Sequence, residues 1–168
     1  MLLPRALFMA ALAALVILTA CAVPPAANDI PSANRWRGRL AITVQTNSLA
    51  QTPAQSMTAG FELSGSPQTG ELTLYTPLGS TAAALSWSAR SATLRSAGES
   101  REFESLQALI RHTTGAELPL AALFAWLAGD NAEVAGWQAD LSQYAAGRIL
   151  ARRTEAGSET QIRLILEK

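Results

Sequence analysis

Trp36-Arg37-Gly38-Arg39-Leu40-Ala41-Ile42-Thr43-Val44 repeats with a period of two. Trp36, Gly38, Leu40, Ile42 and Val44 fall on one face, and Arg37, Arg39 and Thr43 on the other. A strand with one buried and one wet face requires this alternation. After a polar loop from Thr46 to Ser56 it resumes, with Met57, Ala59, Phe61 and Leu63 set against Thr58, Gly60 and Glu62. Three shorter segments follow, at 71–75, 80–87 and 92–95, separated by turn-forming Gly, Pro and Ser. Five successive strands with short connections predict an antiparallel meander.

Beyond residue 100 the period changes to that of a helix. Leu106, Leu109 and Ile110 share a face, and Gly115 stops the segment. Glu102 and Glu104 stand near its start, where negative charge favours the helix dipole. Pro119 suits the first turn of a second helix. Its stripe is Leu120, Leu123, Phe124 and Leu127, with Trp126 beside it, and Gly129-Asp130 ends it. The tail returns to strands at Trp137–Ser142, Arg148–Arg153 and Gln161–Glu167. The expectation is a mainly antiparallel α+β domain, one curved sheet with helices laid across it.

The first 35 residues belong to a different physical regime. Behind Arg5, the stretch from Ala6 to Leu18 is almost wholly apolar. At about 13 residues it is shorter than the roughly 20 needed to cross a bilayer, and it suits the core of a signal peptide. Leu18-Thr19-Ala20-Cys21 closes it as a lipobox, a small-residue cleavage site before the sole cysteine of the chain. An ordinary secretory signal followed by a stray cysteine, or a short membrane anchor, are the other readings. On the lipobox reading residues 1–20 are a lipoprotein signal peptide. Residues 21–35 are then a lipidated N-terminus and flexible tether, and residues 36–168 a single domain. Cys21 carries acyl chains such as palmitate on its sulfur and amine. The proline-containing tether reaches up to roughly 45 Å at about 3.3 Å per residue.

Composition excludes several function classes. Basic and acidic residues number 13 each, and loss of Arg5 leaves 12 against 13, about one net negative charge. No basic excess argues for nucleic acid or anionic lipid. One cysteine permits no intramolecular disulfide, so the fold rests on its core. His112, the sole histidine, is expected at a helix end as a solvated cap. No Cys/His pair, G-x-S-x-G elbow, zinc-ligand set or phosphate-cradling loop is present. The chain reads as a binding protein, not an enzyme, with no cofactor and no metal.

One turn stands out. In Leu74-Tyr75-Thr76-Pro77-Leu78-Gly79-Ser80-Thr81, Pro77 and Gly79 mark a tight connection between strands, yet a leucine sits between them. Either Leu78 folds back on the sheet, or the turn holds it in solvent as a probe. Burying such a side chain in lipid is worth about 1.5–3 kcal/mol, too little for an anchor and enough to favour transient insertion.

With these residues in view the chain resembles the LolB family, outer-membrane lipoproteins that take other lipoproteins from the periplasmic carrier LolA. The resemblance runs over nearly all of the mature chain. It is carried by the lipobox ending in Cys21, by Arg37-Gly38-Arg39, and by Thr76-Pro77-Leu78-Gly79-Ser80-Thr81. It continues through Gly115-Ala116-Glu117-Leu118-Pro119-Leu120, Leu123, Trp126-Leu127, Gly129 and Trp137. It implies an incomplete β-barrel with a helical lid over a hydrophobic cavity for lipoprotein acyl chains. Leu40, Ile42, Phe61, Leu72, Leu74 and Leu85 would line the sheet side, and Leu106, Ile110, Leu120, Phe124 and Leu127 the lid. It further implies a monomer lipid-anchored to the periplasmic face of the outer membrane, delivering cargo to the inner leaflet, with Leu78 promoting insertion. Ala22 after the lipidated cysteine is similar to the pattern of lipoproteins sent to that membrane. Periodicity alone leaves a solid core equally open. A protein-interaction or assembly module and a carrier of other apolar ligands remain alternatives. A basic rim of Arg37, Arg39, Arg152 and Arg153 for carrier docking stands against ordinary solvated strand faces.

Overall fold

A computed structural model describes residues 34–46, 55–114, 117–155 and 158–168. The signal peptide, Cys21 and nearly all of the tether lie outside the described residues, as do Gly115 and Ala116. The strands are β1 (Arg35–Thr46), β2 (Gln55–Gly65), β3 (Gly70–Tyr75), β4 (Thr81–Ser88), β5 (Ser91–Ser96) and β6 (Glu99–Phe103). Two helices follow, α1 (Leu106–Thr114) and α2 (Leu120–Ala128). Then come β7 (Trp137–Asp140), a 3-10 turn (Tyr144–Ala146), β8 (Arg148–Glu155) and β9 (Ser158–Leu166).

All nine strands form one antiparallel sheet in the order β6-β5-β4-β3-β2-β1-β9-β8-β7. The first six are a meander. The last three return to the free side of β1, where Leu40 pairs with Leu164 and Ile42 with Ile162. β6 and β7 are the two edges, so the described strands make an open sheet and not a closed barrel.

Strand β6 departs from the expected five-strand meander. Glu99-Ser100-Arg101-Glu102-Phe103 contains one apolar residue, so it has no hydrophobic period to read. It is an edge strand, where charge guards against unwanted pairing. Its hairpin turns on Ala97 (φ 53°) and Gly98 (φ 81°), a conformation more often marked by Asn-Gly or Asp-Gly. Glu102 consequently sits in a strand opposite Thr93 and not at a helix start. The start of α1 is capped by Ser105, whose Oγ accepts the Ala108 N–H at 3.1 Å.

Other boundaries shift by small amounts. Pro119 occupies the position just before α2, its carbonyl accepting the Leu123 N–H at 2.8 Å. Gly129 ends α2 as expected, with φ 90°. β7 stops at Asp140, where the chain turns so that Tyr144 can donate its hydroxyl to the Leu127 carbonyl at 3.0 Å. In β1 a Cβ at Gly38 would overlap the backbone carbonyl of Ile165, so only glycine lets β9 approach.

One face of the sheet, the inner one, carries the core and both helices. Trp126 and Leu127 of α2 are buried with Trp137, Ile149, Ala151 and Leu164 of the last three strands. The indole of Trp126 lies 6.2 Å from that of Trp137 and donates to the Ala132 carbonyl at 3.0 Å.

Candidate functional site

The other half of the inner face is packed differently. A cavity of about 290 Å³ lies between β1 to β5 and the two helices. Register places its lining in rows. Trp87 stands at one end, opposite Gly70 and Ala92. Leu63, Leu72, Leu85 and Leu94 pair across the next row, and Leu74, Ala83 and Ser96 across the row nearest the β3–β4 turn. Leu40, Ile42 and Met57 extend it along β1 and β2, and Ile162 along β9. From the helical side come Leu106, Ile110, Thr113, Leu120, Leu123 and Phe124, with Leu118 between the helices.

Phe124 is fixed by aromatic packing. Its ring sits edge-on to Trp36 at 5.7 Å and to Trp87 at 6.4 Å. The Trp87 indole N–H is satisfied by the Ser66 carbonyl at 3.0 Å, which holds the ring across the cavity end.

Nine of the eleven residues expected around an apolar cavity are at its wall: Leu40, Ile42, Leu72, Leu74, Leu85, Leu106, Ile110, Leu120 and Phe124. Phe61 and Leu127 do not line it; both are buried in solid packing, at 3% and 1% exposure. Period two puts Phe61 on the right face, but it cannot show which residues of that face meet a void. Met57, Leu63, Trp87, Leu94 and Ile162 share the visible alternation and Leu123 the helical stripe, so these lining residues were findable. Ala83, Ser96 and Thr113 gave no signal, since small or hydroxylic side chains mark no apolar stripe.

The lining carries no ionisable group; its side-chain polar groups are the hydroxyls of Ser96 and Thr113 and the Trp87 indole N–H, which the Ser66 carbonyl takes. Such a wall has nothing to polarise a bond or hold an ion. It can bind apolar matter through burial and dispersion. His112 is exposed in the last turn of α1, its ring 5.4 Å from Phe103 and outside this lining.

Strands β3 and β4, which supply Leu74 and Ala83, are joined by the turn that carries Leu78. The Gly79 N–H donates to the Thr76 carbonyl and the Thr76 N–H to the Ser80 carbonyl, both at 2.9 Å. The hydroxyls of Thr76 and Ser80 meet at 2.8 Å. Gly79 takes φ 83°, a left-handed value that favours glycine. Fastened on both sides, the turn leaves Leu78 96% exposed. The side chain does not fold back on the sheet.

On the outer face, Arg37 Nη2 meets Glu62 Oε1 at 2.8 Å, and Glu62 Oε2 accepts the Tyr75 hydroxyl at 3.2 Å. Partial desolvation and the neighbouring Glu62 carboxylate push the Tyr75 phenol above its usual range. The four arginines weighed as a rim, Arg37, Arg39, Arg152 and Arg153, do not share one surface. Arg39 and Arg152 point outward, whereas Arg153 pairs with Trp137 on the inner side of the sheet.

No helix among the described residues is long and apolar enough to cross a membrane. The family described as outer membrane lipoprotein LolB matches residues 34–168. The outer-membrane lipoprotein LolB of Bordetella petrii is 31% identical over 180 aligned positions, which cover 90% of this chain and 87% of that protein.

Proposed function

The chain belongs to the LolB family, and from that premise we propose that it is an outer-membrane lipoprotein that receives other lipoproteins and inserts them into the membrane. Residues 1–20 act as signal peptide, and Cys21 bears the lipid at the head of a tether reaching to the domain. The carrier is LolA-like, the cargo group is a set of acyl chains, and the destination is the inner leaflet.

Supporting this reading is one juxtaposition. Leu74 and Ala83, at the cavity wall, flank the turn that holds Leu78 out in solvent. A binding space and a membrane probe are thus four to five residues apart in the chain. The energetics need no nucleotide. Each buried CH₂ is worth roughly 0.8 kcal/mol, so an acyl chain moves downhill from a looser carrier to a tighter receptor, then into the bilayer. A cavity of about 290 Å³ is at the small end of ligand sites, which run to about 1,000 Å³. Acceptance of several chains therefore requires α1 and α2 to act as a lid that moves off β1 to β5.

The test is to mix the chain from Ala22 onward with a loaded LolA–lipoprotein complex in the absence of ATP. Cargo should change hands. A folded chain that takes nothing from an active carrier sinks the proposal and leaves a membrane-tethered interaction module.

A further inference from the structure

The outer face of the sheet is used by neither the cavity nor the helices, and its register assembles a charge pattern that the neutral composition hides. Arg39, Ile165 and Arg148 lie in one cross-strand row. Arg163 and Leu150 lie in the next, and Gln161 and Arg152 in the third. Arg39, Arg148, Arg152 and Arg163 are all exposed. None of them is within ion-pair distance of a carboxylate among the described residues. Arg148 reaches only the Gln143 amide oxygen, at 3.1 Å.

Carboxylates border this patch and offset it only in part: its four arginines stand against one carboxylate in the depression. Asp140 lies beside Leu150, accepts the Ser142 N–H at 2.9 Å and feels the charge of Arg152, so it offsets part of the patch at one corner. Glu159 lies two residues beyond Gln161, and Glu62 is taken by Arg37. Glu167 donates its backbone N–H to Arg37 at 2.8 Å, in the row beyond Arg39. Within the patch, Ile165 is 44% exposed. With Leu150 it floors a depression of about 340 Å³ whose polar lining is Arg148, Arg163, Gln143 and the single carboxylate of Asp140.

Guanidinium groups match phosphate oxygens in pairs, and apolar side chains among them suit the boundary between headgroup and acyl chain. The patch also shares a level with Leu78. β1 and β3 run in the same direction, and Tyr75 is in register with Arg39 through Gly60. The turn three residues past Tyr75 therefore stands, along the strand axis, level with the rows of Arg163 and Arg152. A broad basic face fits a planar anionic surface better than it fits a shaped protein epitope. We infer that the outer face of β1, β9 and β8 docks on anionic phospholipid headgroups and holds the Leu78 turn against the bilayer.

Every described strand pairing and core contact lies within 34–168, so the chain from Ala22 onward keeps them all. Its binding to phosphatidylethanolamine vesicles with and without phosphatidylglycerol tests the inference, and no cargo or carrier is involved. Phosphatidylglycerol should strengthen binding, and added salt should weaken it. The R148Q/R163Q variant, unchanged in thermal unfolding, should bind on the order of tenfold more weakly. R95Q, which removes an exposed arginine of β5 on the same face, should bind as wild type. Equal binding to both vesicle types, no loss in R148Q/R163Q, or an equal loss in R95Q would overturn the inference. So would absence of vesicle binding joined to poorer uptake from loaded carrier by R148Q/R163Q, which would assign the face to an acidic protein.

Discussion

Leu78 and Gly79 divide the work of one turn. Leu78 makes almost no contact with the domain, so Leu78→Asp should change stability by no more than about 0.5 kcal/mol in denaturant unfolding. It should accept cargo as wild type does and deliver it poorly to vesicles. An equal fall in acceptance would place Leu78 in the cavity's work instead. Gly79 is different: a Cβ there meets nothing within 4 Å, yet φ 83° penalises any L side chain. Gly79→Ala should therefore cost about 1–2 kcal/mol through backbone strain alone. From sequence the Pro77-x-Gly79 turn was legible, but the direction of Leu78 was not. That direction is set by hydrogen bonds between Thr76, Gly79 and Ser80, which no residue type announces.

At the scale of elements, strands and helices were readable wherever an apolar face recurs. β1, β2 and β9 show their period plainly, as do α1 and α2. β6 stayed hidden because it buries almost nothing. Its only strand neighbour is β5, and apart from Phe103, which packs beside His112 of α1, its residues answer to solvent. Packing between elements also decides how the cavity can be probed. Phe124 lines it but is clamped between Trp36 and Trp87, so Phe124→Ala should cost about 3–5 kcal/mol and confound any binding assay. Ala83 is a cleaner position, at the cavity wall and only partly buried. Ala83→Phe should fill space that is now empty, leave unfolding near wild type, and lower cargo uptake. Uptake unchanged in that variant would remove this cavity from the binding site. Gly38→Ala should act on the sheet itself, driving β1 from β9 and destabilising by about 1–3 kcal/mol.

Over the whole molecule the inner face is built in two halves. Under α2, the strands β7 to β9 are filled by Trp126, Leu127, Trp137, Ile149 and Leu164, with rings and methyls in contact. Between the helices and β1 to β5 the same apolar face encloses a void. A solid half gives the open sheet a fixed frame without a disulfide. On the proposed mechanism, a hollow half lets the helices lift as a lid at little loss of contact. A solvent-sensitive apolar dye should bind the native domain and be displaced by fatty acid. If no dye binds to the folded protein, the void is closed to ligands and the interaction-module reading gains.

The sequence by itself determined the local periods, the turn chemistry, the break from strands to helices, and the residues that carry the family likeness. These are written in near neighbours, where side-chain spacing and backbone geometry meet directly. Tertiary structure alone decided what lies opposite what. It put Phe61 and Leu127 into solid packing while Leu72 and Leu120 faced a void. It turned Arg153 inward, and drew Arg39, Arg148, Arg152 and Arg163 into one outer patch. Alternation tells which side of a strand is apolar. Only the pairing of distant strands, and the volume their side chains leave unfilled, tells whether that side becomes a core or a cavity.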